Sequence, residues 1–232
     1  MAERSLPRAL LLCYHKCGPQ VEEGTFLNVE PADLGRHVRF LMRRGYQTRP
    51  VRELQGGLRP GNLALTFDDA YRSTVQHAVP LLHALGATAT LYAVAAKIGG
   101  TSDWDGERAR PLASLDELLN AQALGFEIGN HTRSHLRLAD LDAETVHNEI
   151  VGGREALREM GLGAESVCYP YGHATPDAVK AAERAGHQVG VALGKRWAVD
   201  ADSLLALPRI VVAYSDRMAG LLYRLYVRPW LP

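Results

Sequence analysis

The sequence predicts an α/β fold with about seven parallel strands. Three observations carry that reading: seven short apolar runs, helical patterns between them, and polar reactive residues where the runs end. The runs are Ala9 to Tyr14, Leu63 to Phe67, Thr88 to Ala95, Phe126 to Asn130, Ser166 to Tyr169, Gln188 to Leu193 and Leu205 to Val212, each bounded by turn formers. Such repetition fits an incomplete barrel or an open doubly wound sheet, and the placement of polar groups favours the barrel. Asp68 and Asp69 end the second run, His131 follows the fourth, Tyr171 and His173 follow the fifth, and Arg209 lies on the seventh. Groups at the carboxyl ends of different strands converge only if the sheet closes enough to face them inward.

The helices are marked by period and punctuation. Over Pro31 to Arg44, the residues Leu34, Val38, Leu41 and Met42 share one face, and Gly45 ends the pattern. Ser114-Leu115-Asp116-Glu117 is a capping box ahead of Leu118, Leu119 and Ala123, and Gly125 stops that helix. Asp142 to Met160 closes at Gly161, and Thr175-Pro176 opens a helix that reaches Ala185 before Gly186. Gly99 to Ala113, which contains Trp104, is long and polar and reads as an active-site loop.

Composition narrows the function. With 232 residues and 47% hydrophobic content the chain is expected to form one domain, 1–232. Basic and acidic residues number 26 each, so there is no basic field to attract nucleic acid, and the absence of GxGxxG and GxxxxGK loops gives a nucleotide fold no support. Cys13, Cys17 and Cys168 are an odd set without metal-ribbon spacing, which suits reduced, buried thiols. Arg4 and Arg8 precede an apolar stretch too short for a leader, which points to the cytoplasm.

Two clusters carry the chemistry: Thr66-Phe67-Asp68-Asp69 and His131-Thr132-Arg133-Ser134-His135. Histidines four apart can aim at one point, and two adjacent aspartates are disfavoured unless a cation stabilises them. The alternative for the aspartates is a solvated turn or a cap for a helix over Tyr71 to Leu85. One carboxylate and two imidazoles on a metal, with a second carboxylate spare as base, suit hydrolysis of an amide or ester.

These motifs resemble the polysaccharide deacetylase family, carbohydrate esterase family four, over nearly the whole chain. Thr66-Phe67-Asp68-Asp69-Ala70 is similar to its TFDDG motif, with alanine for glycine; His131 to His135 is similar to H-[ST]-x-x-H; Tyr169-Pro170-Tyr171-Gly172 resembles the end of R-x-P-[YF]-G. The resemblance implies a distorted (β/α) barrel, a divalent metal, commonly zinc, held by Asp69, His131 and His135, and Asp68 as general base. It also implies an oxyanion donor in the backbone N–H of Tyr171, after Pro170, and an N-acetylated saccharide, polysaccharide or lipid-linked glycan as substrate. Many relatives are exported, so a removed leader is compatible with it. Deacylation of another small N-acyl compound, including deformylation, and a silent carbohydrate-binding relative that keeps the metal are the alternatives.

Two departures matter. Cys168 stands where the family's third motif opens with arginine, and Leu207-Pro208-Arg209 stands where L-x-H would supply the acid histidine. Arg209 is expected to replace the lost arginine by pairing with Asp68, since a guanidinium binds a carboxylate bidentately. His15 and His173 are the two candidates for the acid. Trp197 either lines a sugar-binding wall or is an ordinary half-buried tryptophan. The segment 216–231 is amphipathic, with Met218, Leu221, Leu222, Leu225 and Tyr226 opposite Arg217, Arg224 and Arg228. It either packs on the barrel or makes peripheral contact with an anionic membrane, with Trp230 at the interface.

Overall fold

The computed structural model describes residues 9–214 and 216–230. Arg4, Arg8 and Leu231, and the side chain of Trp230, lie outside the described residues. Seven parallel strands close into a barrel: β1 (Ala9–Tyr14), β2 (Asn62–Phe67), β3 (Thr90–Ala93), β4 (Glu127–Asn130), β5 (Ser166–Cys168), β6 (Val189–Gly194) and β7 (Leu207–Val211). Around the barrel the strands follow chain order, and β1 closes the ring by pairing with β2 over six residues and with β7 through Leu12 and Cys13.

Closure follows from the two-residue period of a strand. Ala9 and Leu11 of β1, Ala64 of β2, Tyr92 of β3, Cys168 of β5, Val189 and Val191 of β6 and Leu207 of β7 share one inner cluster, plugged by Val51 and Leu54 of a 3₁₀ turn. The alternate residues Leu10, Leu12, Leu63, Leu65, Phe67 and Leu91 belong to a second cluster shared with the surrounding helices. Strands buried on both faces need no polar alternation, which is why the runs read as continuously apolar.

Apart from a single turn at Gln20–Glu23, the α-helices among the described residues are α1 (Pro31–Arg43), α2 (Arg72–Ala84), α3 (Leu115–Ala123), α4 (Ala143–Glu159), α5 (Pro176–Arg184) and α6 (Met218–Tyr226). The capping box at Ser114 and Glu117 forms in both directions, and Asp142 and Thr175 accept from the first turns of α4 and α5. A two-stranded ladder of Lys16–Cys17 and Asn28–Val29, and the strand Gln47–Thr48 beside β2, are too short to announce themselves by pattern. Leu205 and Ala206, expected at the start of the seventh strand, belong to a 3₁₀ turn, Leu204–Ala206, instead.

In α6, Leu221 and Leu225 are buried in the cluster between barrel and helices, and Met218 packs against it. Met218, Leu221 and Leu225 of the apolar stripe are thus covered by the core, while Tyr226 of the same stripe is exposed with Tyr223 and Val227. No helix among the described residues is long and apolar enough to cross a membrane.

Candidate active site

The carboxyl ends of the strands open on a cavity of about 360 Å³, with His15, Asp68, Asp69, His131, His135 and Tyr171 in its lining. The sequence places Asp68 one residue past β2, where its backbone N–H donates to Tyr14 O at 2.9 Å. The chain then turns through two left-handed residues, Asp69 at φ 68° and Ala70 at φ 50°. Left-handed L-residues are unfavourable by about 1–2 kcal/mol each. Thr132 (φ 65°), His135 (φ 63°) and Tyr171 (φ 58°) share that conformation, so all three motif segments are bent at the mouth.

The His131 to His135 loop is braced by α4. Arg133 N donates to Glu149 O and Ser134 N to Glu149 Oε2, both at 2.9 Å, while Asn130 ties Thr132 N, Ile150 O and His187 Nε2 into one network. Gly153 allows the approach: a Cβ there would lie 2.6 Å from Thr132 C and 2.8 Å from Arg133 N.

Asp69 Oδ1 stands 3.4 Å from His131 Nε2 and 3.2 Å from His135 Nε2, yet is buried with no hydrogen-bond partner. The neighbour of His131 Nδ1 is the carbonyl oxygen of Cys168, at 2.9 Å. A carbonyl only accepts, so Nδ1 carries a proton. Against burial, Cys168 and the bond to Asp69 hold the His131 pKa well above its ordinary value, so without an ion a second proton joins Nε2 to Asp69. A cation between Asp69 Oδ1 and the two Nε2 atoms would take the place of that proton. The donor set of two imidazoles and one carboxylate thus fits a divalent ion, and the backbone acceptor behind His131 is the usual device for orienting such a ligand. Trp104 stacks on His135 with ring centroids 4.1 Å apart, which covers the second imidazole.

Asp68 points into a different environment. Arg209, fully buried on β7, donates to Asp68 Oδ1 at 2.5 Å and Oδ2 at 2.8 Å, and also to Thr66 Oγ1, Cys168 Sγ and Ala192 O. Burial alone would raise the Asp68 carboxyl, but the charge and hydrogen bonds of Arg209 outweigh it and hold that carboxyl well below the usual range. Cys13 adds a thiol donor to Oδ2 at 3.4 Å. Cys168 therefore faces the guanidinium that the third motif would have supplied from its own position.

The cavity brings together Asp68, Asp69, His131, His135, His15 and Tyr171 but not the remaining candidates. His173 does not line it, and its ring lies 6.3 Å from that of Tyr171. Pro170 is buried behind the turn, and Trp197 packs on the core with an edge contact to Tyr226. His15 is held below its ordinary value by burial, against the raising effect of Asp68 and Asp69. Additional lining comes from Trp104, Asp105 and Arg108 of the polar loop Gly99 to Ala113, which the sequence marks as an active-site loop without singling out the last two, and from Phe26 and Leu27, which nothing local marks. Asp105 is fixed by the Tyr71 hydroxyl at 2.5 Å and Arg108 lies over the Phe26 ring. All three cysteines are free and buried.

The polysaccharide deacetylase family model matches residues 55–190. The chain belongs to that family. Its sequence is 27% identical over 224 residues to "Putative polysaccharide deacetylase YxkH" of Bacillus subtilis (strain 168), covering 94% of this chain and 75% of that protein. The polysaccharide deacetylase fold recurs in the Streptococcus pyogenes deacetylase PplD, solved in complex with acetate, with a TM-score of 0.78, 20% identity, and 95% and 99% of the two chains covered. IcaB from Ammonifex degensii superimposes with a TM-score of 0.76 at 21% identity, covering 88% of this chain and 91% of that one. The region matched by the family model contains both aspartates, both motif histidines and Tyr171, but neither His15 nor Arg209.

Proposed function

We propose that this protein is a metal-dependent hydrolase that removes an N-acetyl group from an amino-sugar unit of a saccharide, polysaccharide or lipid-linked glycan. The observation that carries the reading is Asp69 Oδ1, buried without a partner between two imidazole nitrogens, with an ionised Asp68 beside it. Asp69, His131 and His135 would hold the ion, and two nitrogen donors with one oxygen suit zinc. A divalent cation bound there supplies a Lewis acid and lowers the pKa of water.

Asp68 takes the proton of the attacking water. Because Arg209 keeps its carboxyl strongly acidic, that proton is held only transiently and passes on readily. His15, whose ring nitrogen lies within 4.8 Å of an Asp68 oxygen, is the receiver that hands it to the departing amine. Kept uncharged near neutral pH by burial, His15 has a free site for the proton. The left-handed turn at Tyr171 sets its backbone N–H as the donor to the developing oxyanion.

The test is acetate release from acetylated chitooligosaccharides and aryl acetates, with metal analysis. Chelation is expected to stop release and zinc to restore it. Asp68→Asn is expected to keep the metal and lose turnover by about 10²–10⁴-fold, and His15→Gln to lose less on aryl acetates, whose leaving group needs no proton. Sugar binding without metal-dependent release of any acyl group would replace this reading with that of a silent binding relative.

A further inference from the structure

We propose that the barrel mouth carries an anion-binding subsite built by Lys195, Arg224 and Arg228, which takes a phosphate or carboxylate borne by the saccharide beside its acetylated unit. The inference rests on the deacetylase reading for what occupies the neighbouring cavity. A second cavity of about 360 Å³ adjoins the first, and Leu193 and Val211 line both. These two residues lie toward the carboxyl ends of β6 and β7, so a ligand whose amide faces Asp68 and Asp69 can cross them into the second cavity without leaving the mouth.

The second cavity has three cationic side chains in its lining and no carboxylate. This is local, because the chain as a whole has 26 basic and 26 acidic residues. Arg224 is engaged by Asp216 at 2.5 Å. Lys195 and Arg228 have no ion-pair partner among the described residues. The contrast with neighbouring cations is direct: Arg196, the next residue, is clasped by Asp202, and elsewhere Arg49 pairs with Glu53 and Lys97 with Asp103. With Arg224 offset by Asp216, the two remaining cations on this concave surface, Lys195 and Arg228, raise the local potential and favour an anionic ligand. Phosphate and carboxylate share the chemistry that such a group recognises.

The experiment compares three ligands: N,N′-diacetylchitobiose, N-acetylglucosamine 1-phosphate and a disaccharide joining N-acetylglucosamine to a uronic acid. Calorimetric binding and kcat/KM for acetate release are measured on the metal-loaded protein and on the Lys195→Gln, Arg228→Gln double variant. The charged ligands are expected to bind wild type about tenfold more tightly than the neutral one, an advantage that shrinks with salt and disappears in the variant. Binding and turnover of the neutral disaccharide are expected to stay unchanged. The larger of the two charged advantages identifies the anion. Equal preference in wild type and variant would overturn the proposal, as would a variant impaired only in binding vesicles of anionic phospholipid. If no ligand releases acetate while the charged advantage persists in binding, the hydrolase reading fails and the anion subsite stands.

Discussion

Arg209 offers the sharpest test of how the site is held together. Its guanidinium is fully buried and donates to two oxygens of Asp68, to Thr66, to Cys168 and to a backbone carbonyl. Arg209→Met removes the counter-charge and strands a buried carboxylate, a change expected to cost about 3–5 kcal/mol. For a chain of this size that lowers Tm by roughly 10 °C. The loss carries a pH signature, read on chelated protein. In wild type the folded Asp68 carboxyl lies below its unfolded value of about 3.9, so its contribution is present above that pH and is lost only as pH falls through the lower folded value. In the variant burial, which raises the carboxyl, is opposed only by the smaller effects of His131 and His15 and by the Cys13 thiol, so the charged form is less favourable in the fold at neutral pH and protonation relieves it. The stability gap between the two proteins is therefore widest near pH 7 and narrows toward pH 4. Arg209→Lys keeps the charge but cannot span both oxygens, and is expected to bind metal while losing turnover. The exchange Cys168→Arg with Arg209→Cys should recover part of the loss of Arg209→Cys alone, by 1 kcal/mol or more of coupling, since Cys168 Sγ lies within 4.8 Å of Asp68. A gap independent of pH, or an Arg209→Lys enzyme that turns over like wild type, would refute this account.

Three further perturbations follow from the same structure. His187 is buried between Asn130 and the Glu165 carbonyl, and burial lowers its pKa to about 4. The unfolded chain thus binds the proton first, and stability falls by about 3 kcal/mol as pH drops from 6.5 to 4. His187→Gln should flatten the dependence of Tm on pH in that window, and parallel curves would count against it. Gly153→Ala should cost about 1–3 kcal/mol and weaken metal binding at least tenfold, despite the better helix propensity of alanine, because its Cβ meets the backbone of the histidine loop. A rise in Tm with metal affinity intact would show that the loop is not pressed on α4. Ala70→Gly relieves a left-handed residue and is expected to raise stability by about 1 kcal/mol in thermal unfolding; a fall in Tm would mean that Ala70 is not strained.

What could be read from the chain depends on whether the cause is local. The strands were legible because burial on both faces makes each run apolar, and the helices because capping residues and terminal glycines sit within a few positions of one another. The pairing of Arg209 with Asp68 was expected from the missing arginine of the third motif and the bidentate fit of a guanidinium to a carboxylate, and strand parity permits it, since Arg209 alternates with inward Leu207 and Asp68 with inward Ala64. Phe26 was invisible, and Asp105 and Arg108 could be placed only as members of a polar active-site loop, since their individual positions depend on contacts remote in sequence. Gly153, within α4, carries no local mark of its role either. Its reason is a loop twenty residues away, which no helical pattern contains.

The left-handed residues explain why the motifs need an entire barrel around them. Asp69, Thr132, His135 and Tyr171 each adopt a backbone conformation that their own side chains disfavour; Asp69, His135 and Tyr171 line one cavity, and Thr132 lies in the turn that carries His135 to it. Nothing in a short peptide would hold them there. The cost is offset by bonds that the rest of the fold supplies: Asp68 N to Tyr14 O at one turn, Ala113 N to Ala70 O behind it, and Glu149 with Asn130 under the histidine loop. The closing pair of strands β1 and β2 sets the first of these, and α4 sets the last. Donors that must face the barrel axis, rather than the backbone's own preference, thus decide where the chain bends, and the guanidinium that steadies Asp68 can come from β7 as well as β5 because both strands face that axis.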